Sequence, residues 1–321
     1  MAVTDLGAPS CAMHPLHGVH EPTDCTPARR PGSVRRTTSM DITRTPGAAD
    51  PVYLAGTGRD LVTAADGGAR VQRTVGLSAT VAMMSQTVRR LETDPSSAAL
   101  SQLAGAPAMG GFRAAVDARA PELRSNRDVL YSLLDDVPVC TLISGHALGA
   151  SGQLEAVRTG YLPQADQCAG FVTGGLLMES FAAGDPVIVT GPEAPDLSDS
   201  ADPLAWHELG DLPLHGMRRR RRVDVVERAG AATVDIDAMF RDTYVRGDGV
   251  ETIIHEYPLL ATVERSTGLI LESHATPRVL PWQECPGAVG SAGRVAGMTL
   301  SELHFRVRRE LSGTSSCTHL N

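Results

Sequence analysis

Short landmarks recur in the same order in the two halves of this chain, and that recurrence restricts its fold more than any single motif. Pro15-Leu16-His17-Gly18-Val19 matches Pro213-Leu214-His215-Gly216-Met217, and arginines follow each: Arg29, Arg30, Arg35 and Arg36 against the run Arg218 to Arg222. Met40-Asp41-Ile42 then matches Val223-Asp224-Val225, and Arg59-Asp60 matches Arg241-Asp242. Leu103-Ala104-Gly105 matches Val295-Ala296-Gly297, Phe112-Arg113 matches Phe305-Arg306, and Cys140-Thr141-Leu142 echoes Cys317-Thr318-His319-Leu320. Any one pair is noise; an ordered series predicts an internal duplication, with too few copies for a solenoid.

The expected organisation follows. Residues 1–38, rich in Pro, Gly, Thr and Arg, read as an arm that is disordered or wraps the body. Residues 39–186 form a first unit with trailing helices, 187–212 a Pro/Asp/Ser/Gly-rich linker, and 213–321 a second unit. The second reads most clearly. Val234 and Ile236 alternate with Asp235 and Asp237, the period of a half-buried strand. Residues 252–264 and 269–275 predict a hairpin around Ser266-Thr267-Gly268. Thr299 and Glu302 predict a capping box, Met298 and Leu303 a hydrophobic staple, and Gly313 the C-terminal cap of that helix. The fold class expected is α+β: two duplicated β-meander-plus-helix units packed as a pseudo-dimer.

Composition removes whole classes of chemistry. The chain has no lysine, so all 29 basic residues are arginine. Arginine cannot serve as an amine nucleophile near neutral pH. Schiff-base and pyridoxal phosphate (PLP) chemistry is therefore excluded, as are P-loop nucleotide sites that need a phosphate-binding lysine. A net charge of −8 and 4% aromatic residues argue against general nucleic-acid binding. No run of apolar residues is long enough for a membrane span, and the opening residues lack the pattern of a secretory signal, so a cytoplasmic location is expected.

Three residue sets could carry function. Cys285, Cys317 and His319 would supply two thiolates and an imidazole, ligands suited to zinc or iron, and Cys140 or Cys168 would be placed to complete such a site. Asp235, Asp237 and His255 would line one sheet face and move protons, with Arg241, Arg220 and Arg222 holding a small acidic ligand. The arginine run reads equally as an edge strand whose charges block aggregation. In the arm, Cys11, His14, His17, His20 and Cys25 form a dense set of potential ligands.

The tail from Glu284-Cys285-Pro286 through Ala296-Gly297-Met298 to Gly313-Thr314-Ser315-Ser316-Cys317-Thr318-His319-Leu320 resembles a bacterial domain-of-unknown-function family of the long, high-GC actinobacterial type. The likeness extends over most of the chain, and Ser316 stands where that family has Gly. It implies no particular activity. A more distant likeness is to iron–sulfur scaffold proteins of the NifU/IscU type: Gly268-Leu269-Ile270-Leu271-Glu272 leads to Cys285, then Gly297-Met298-Thr299-Leu300-Ser301-Glu302, then Cys317-Thr318-His319. Relative to those proteins the cysteine–histidine order is reversed and a third cysteine is missing, so only a shared fold is implied. Three functional readings stay open: a protein binding metal or a small ligand through the second unit, a cofactor-free enzyme on a small acidic or acyl substrate, and a non-catalytic, partner-binding protein.

Overall fold

The computed structural model describes residues 18–152, 164–184, 187–198, 201–227 and 230–320. Of the cysteine- and histidine-rich arm, Cys11, His14 and His17 lie outside the described residues, as do Pro15 and Leu16.

Eight strands form one antiparallel sheet: β1 (Ser33–Thr43), β2 (Val52–Thr63), β3 (Ala69–Ala82), β4 (Thr87–Asp94), β5 (Met217–Glu227), β6 (Thr233–Val245), β7 (Glu251–Glu264) and β8 (Ile270–Ala275). Their spatial order is β4-β3-β2-β1-β5-β6-β7-β8. Each half is a meander, and the two meet through their first strands, so the order reads the same outward from the β1·β5 seam in both directions. The helices are α1 (Ala98–Ser101), α2 (Phe112–Arg119), α3 (Pro121–Ser125), α4 (Val129–Ala150), α5 (Leu176–Ala182) and α6 (Leu300–Glu310), with a 3-10 segment at Cys285–Val295. The α+β expectation holds at this level. The hairpin and the Thr299/Glu302 capping box stand where the sequence placed them.

The halves share contacts as well as order. Arg35 holds Asp224 across the seam at 2.6 and 2.7 Å, and Arg218 holds Asp41 at 2.5 and 2.8 Å. Gly105 donates its N–H to the Val88 carbonyl, and Gly297 donates to that of Ile270. Both glycines turn with positive φ, +86° and +84°, where a Cβ would be strained. The Pro-Leu-His-Gly landmark behaves differently. Gly18 lies against the Leu280 and Trp282 carbonyls, whereas Gly216 opens β5. The place matching His215 is Gly32: these residues donate to Val245 and Thr63 respectively. Of this landmark's first copy only Gly18 and Val19 are described, and Gly18 does not occupy the place of Gly216. Cys140 and Cys317 also differ, the first inside α4 and the second in a C-terminal turn.

Alternation along the strands gives the sheet two buried faces. On one, α4 crosses β1, β2 and β3 and reaches β5. Apolar residues almost all round α4 fit a helix enclosed in the core, and Asp128 caps its start by accepting the Leu130 N–H. Beneath it pack Met40, Ile42, Leu54, Leu77 and Phe112. The other face is a layer of paired charges. There Arg35 and Arg222 meet Asp224, Arg222 also meets Asp237, and Arg241 meets Glu256.

One sequence expectation is corrected in β5, whose side chains alternate between the two faces. The arginine run is not an edge strand: Arg218 to Arg222 lie in β5, at the centre of the sheet, while β4 and β8 form its edges. Burial of the run is tolerated because four of its guanidiniums have acidic partners, Asp41, Asp136, Asp224, Asp237 and Asp242 among them. The described residues of the Pro/Asp-rich stretch 187–212 pack against the sheet. Its carbonyls at Pro195, Leu204 and Gly210 accept hydrogen bonds from Arg241, Arg59 and Arg218. Gly191 passes so close that a Cβ there would lie 1.6 Å from the Ile253 carbonyl oxygen. Residues 18–30 share this covering role, with Thr26 bonded to Trp206 and the Leu197 carbonyl. A coat that offers backbone acceptors needs no side-chain periodicity, so it reads as linker.

Candidate metal centre on the helix-covered face

The register of β6 and β7 sets Asp242 opposite His255, beside a bulge that shifts the pairing between Asp242 and Thr243. Bulges commonly re-aim side chains at functional sites. The C-terminal turn brings in His319, whose ring stacks on His255 with centroids 3.8 Å apart at 21°. One ligand atom from each of Asp242, His255 and His319 lies within 4.8 Å of the others, and all three residues are buried.

Asp242 accepts two hydrogen bonds of 2.8 Å from Arg219 Nη1. Arg219 is fixed in turn by Asp136 of α4 at 3.1 Å, by the His319 carbonyl at 3.3 Å, and by the Phe240 ring, 4.5 Å from the guanidinium carbon. The carboxylate is thereby oriented, and the C-terminal turn tied to the sheet. The imidazoles are not satisfied. Among the described residues, His255 Nδ1, His319 Nε2 and, from α4, His146 Nε2 are buried without a hydrogen-bond partner. His255 Nδ1 stands 3.6 Å from Asp242 Oδ2, beyond hydrogen-bond reach.

Burial governs protonation here. It drives His319 down to about 3 and His146 down to about 4, and it pushes His255 well below its ordinary value, so all three rings are neutral near pH 7. Burial raises the Asp242 carboxyl to about 6 against the pull of Arg219. Neutral imidazole is the form that ligates metal.

The three histidines line a cavity of about 400 Å³. Met83, Met84, Ile143, Phe171, Phe181 and Trp282 supply apolar wall, and Asp50 and Gln86 supply polar groups apart from the histidines.

Of the residues named from sequence, His319 and His255 come together here. Cys317 is adjacent, its Sγ 3.9 Å from His319 Nδ1. Cys285 lies farther back, where a Cβ at Gly170 would touch its sulfur at 2.8 Å. Burial pushes the Cys317 thiol up to about 12 and that of Cys285 well above its usual value. Cys168 and Cys140 are buried thiols raised by the same cause.

The proposed acid–base face is divided by the sheet. Arg241 sits with Glu256 opposite His255 and Asp242, and its remaining N–H groups are taken by Thr23 and Pro195 carbonyls. Arg222 is consumed by Asp224 and Asp237. Arg220 is largely buried, and desolvation lowers its pKa. Asp235 and Asp237 border a separate groove of about 490 Å³ beside Asp224 and Glu272. Asp242, Arg219 and His146 were not singled out as site residues. The repeated Arg-Asp landmark held a signal for Asp242, whereas His146 inside an apolar helical run gave none.

The chain is an α+β protein with an eight-stranded antiparallel sheet, and no helix among the described residues is long and apolar enough to cross a membrane. Residues 217–321 match the model of a family described as a protein of unknown function (DUF2889). The match covers the second half of the sheet, including Asp242, His255 and His319, a narrower span than the likeness over most of the chain led us to expect. No curated protein and no solved structure matches the chain.

Proposed function

We propose that the second half of the sheet holds a divalent transition metal on Asp242, His255 and His319, and that the chain acts on a small molecule admitted through the adjoining cavity. The observation that carries this reading is the set of three buried imidazole nitrogens, on His146, His255 and His319, that find no partner among the described residues and lie beside an oriented carboxylate. Leaving one such atom unsatisfied costs about 1–3 kcal/mol, and a metal removes that cost for the ligating pair. Two histidines and one carboxylate leave coordination positions open, the arrangement used by catalytic zinc and by non-haem iron(II) sites. The Arg219 contact to Asp242 is the outer-shell support such ligands need.

The matched contacts across the seam support a second element of the reading. The two halves are copies of one unit packed as a pseudo-dimer, and the second copy carries the centre. Cys317 stands next to His319 as a further donor, and Cys285 serves packing.

The test is metal content of the full chain after reconstitution with Zn²⁺, Fe²⁺ or Mn²⁺ and desalting. About one ion per chain is expected, lost in His319→Ala and in His255→Gln but retained in Cys285→Ser. Absence of stoichiometric binding in a wild-type protein with native circular dichroism would overturn the assignment.

A further inference from the structure

The cavity above the histidines constrains what could reach a metal there. Its wall is mostly apolar, with three methionines, Met83, Met84 and Met109, among the lining residues and Asp50 and Gln86 as the polar exceptions outside the histidines. Methionine adapts to irregular apolar shapes. Among the described residues no arginine lines the cavity, and the charged wall residue outside the histidine floor is Asp50, held by Arg89 at 2.7 Å. A phosphate or sugar would find neither a cation nor a row of polar partners on these walls.

Charge at the floor selects the head group. Without a metal the charges beside the site are already paired: Arg219 and Arg221 against Asp136 and Asp242, with Asp135 next to Arg221 held by Arg113 and Arg308. A divalent ion would add positive charge with no protein counter-ion, beside an apolar cavity where uncompensated charge is costly. An anionic ligand would offset it, and His146 Nε2, buried and without a partner among the described residues, lies in the same lining to meet a ligand oxygen.

The geometry points to an apolar monocarboxylate as the ligand class: a hydrocarbon or aromatic body in the Met/Phe/Trp-lined cavity, with its carboxylate directed to the metal on Asp242, His255 and His319. This inference rests on the metal reading of the preceding subsection. The volume of about 400 Å³ falls within the usual range for small-molecule sites.

The test uses the full chain loaded with Co²⁺, whose visible d–d bands report the coordination sphere, and octanoate, octanol and citrate as probes in calorimetric titrations. Octanoate should perturb the cobalt spectrum and bind about tenfold or more tighter than octanol, with citrate weaker still. Metal-free protein should lose that preference for octanoate over octanol. Met84 is 70% exposed at the cavity, so Met84→Glu adds an anion there at little structural cost. It should weaken octanoate more than octanol while leaving cobalt binding intact. Cobalt bound with no octanoate response, or with citrate equal to octanoate, would overturn the ligand class and leave the metal centre standing. Failure to bind cobalt at all would remove the metal reading and this inference with it.

Discussion

Arg36 holds Asp60 in the first half of the sheet as Arg219 holds Asp242 in the second, yet only the second pair stands in a candidate site. The distances are close, 2.7 and 2.8 Å through Arg36 Nε and Nη2 and twice 2.8 Å through Arg219 Nη1 alone. What differs is the residue across the next strand. Opposite Asp60 is Arg73, which turns away to Asp128. Opposite Asp242 is His255, onto which His319 stacks. The Asp60 side chain keeps 16% exposure, whereas that of Asp242 keeps none. An arginine–aspartate pair is thus present in both halves of this sheet, and in the second half imidazoles stand where the first half has a neighbouring cation.

The largest contrast between the halves should come from a matched pair of phenylalanines. Phe112 is fully buried in the core below α4, and Phe305 on α6 is 59% exposed. Phe112→Ala should cost about 3–5 kcal/mol in chemical denaturation, and Phe305→Ala less than about 0.5 kcal/mol. Equal losses would show that the helical layers are packed alike and would break the comparison.

Next come the aspartates. Asp242→Ala leaves Arg219 in the interior with Asp136 as its remaining acidic partner and should cost about 3 kcal/mol. Asp60→Ala, at a more exposed pair, should cost about 1 kcal/mol. Urea midpoints of the two variants at neutral pH, measured without added metal, decide the matter.

A third effect separates the halves by pH and lies on the opposite face. His207 bridges Thr37 and Ser39 of β1 at 2.9 and 2.8 Å, and the residues opposite these on β5 are Arg222 and Arg220. Burial, aided by Arg59, lowers His207 to about 4. The unfolded chain takes up this proton below about pH 6.5, and the folded chain only below about 4. Between these values the unfolded state binds more protons, so stability falls as the pH falls and levels out below about 4. The contribution is at most about 3 kcal/mol. His207→Asn should flatten the pH dependence of stability by that amount between pH 7 and 4, and curves parallel to wild type would refute it.

Much of the second half was legible because its signals are local. Alternation in residues 233–237, the turn at Thr267-Gly268 and the Thr299/Glu302 box each lie within a few residues. Asp41 and Asp224 could be matched by sequence, but not the fact that each serves an arginine on the other's strand. The arginine run misled for the same reason: its partners Asp41 and Asp136 come from the first half, and a strand of cations looks exposed until they are placed. His319 and His255 were noticed separately, one with thiols and one with carboxylates. Only the β6·β7 register and the closing turn bring them together, and only α4 brings His146 to the same cavity.

The β1·β5 seam sets an order of events during synthesis. β2, β3, β4 and α4 are all translated before β5, so the first meander can assemble while one edge of β1 is still open. An unpaired edge in the middle of a future sheet is a template for any passing strand. Until residues 217–227 emerge, that edge depends on chaperones or on speed. The natural misassembly is exchange, with β5 of one molecule completing β1 of another. Such a dimer would keep the candidate set Asp242, His255 and His319 in one chain, since all three follow the seam, but it would take His146 and Asp136 from a different chain.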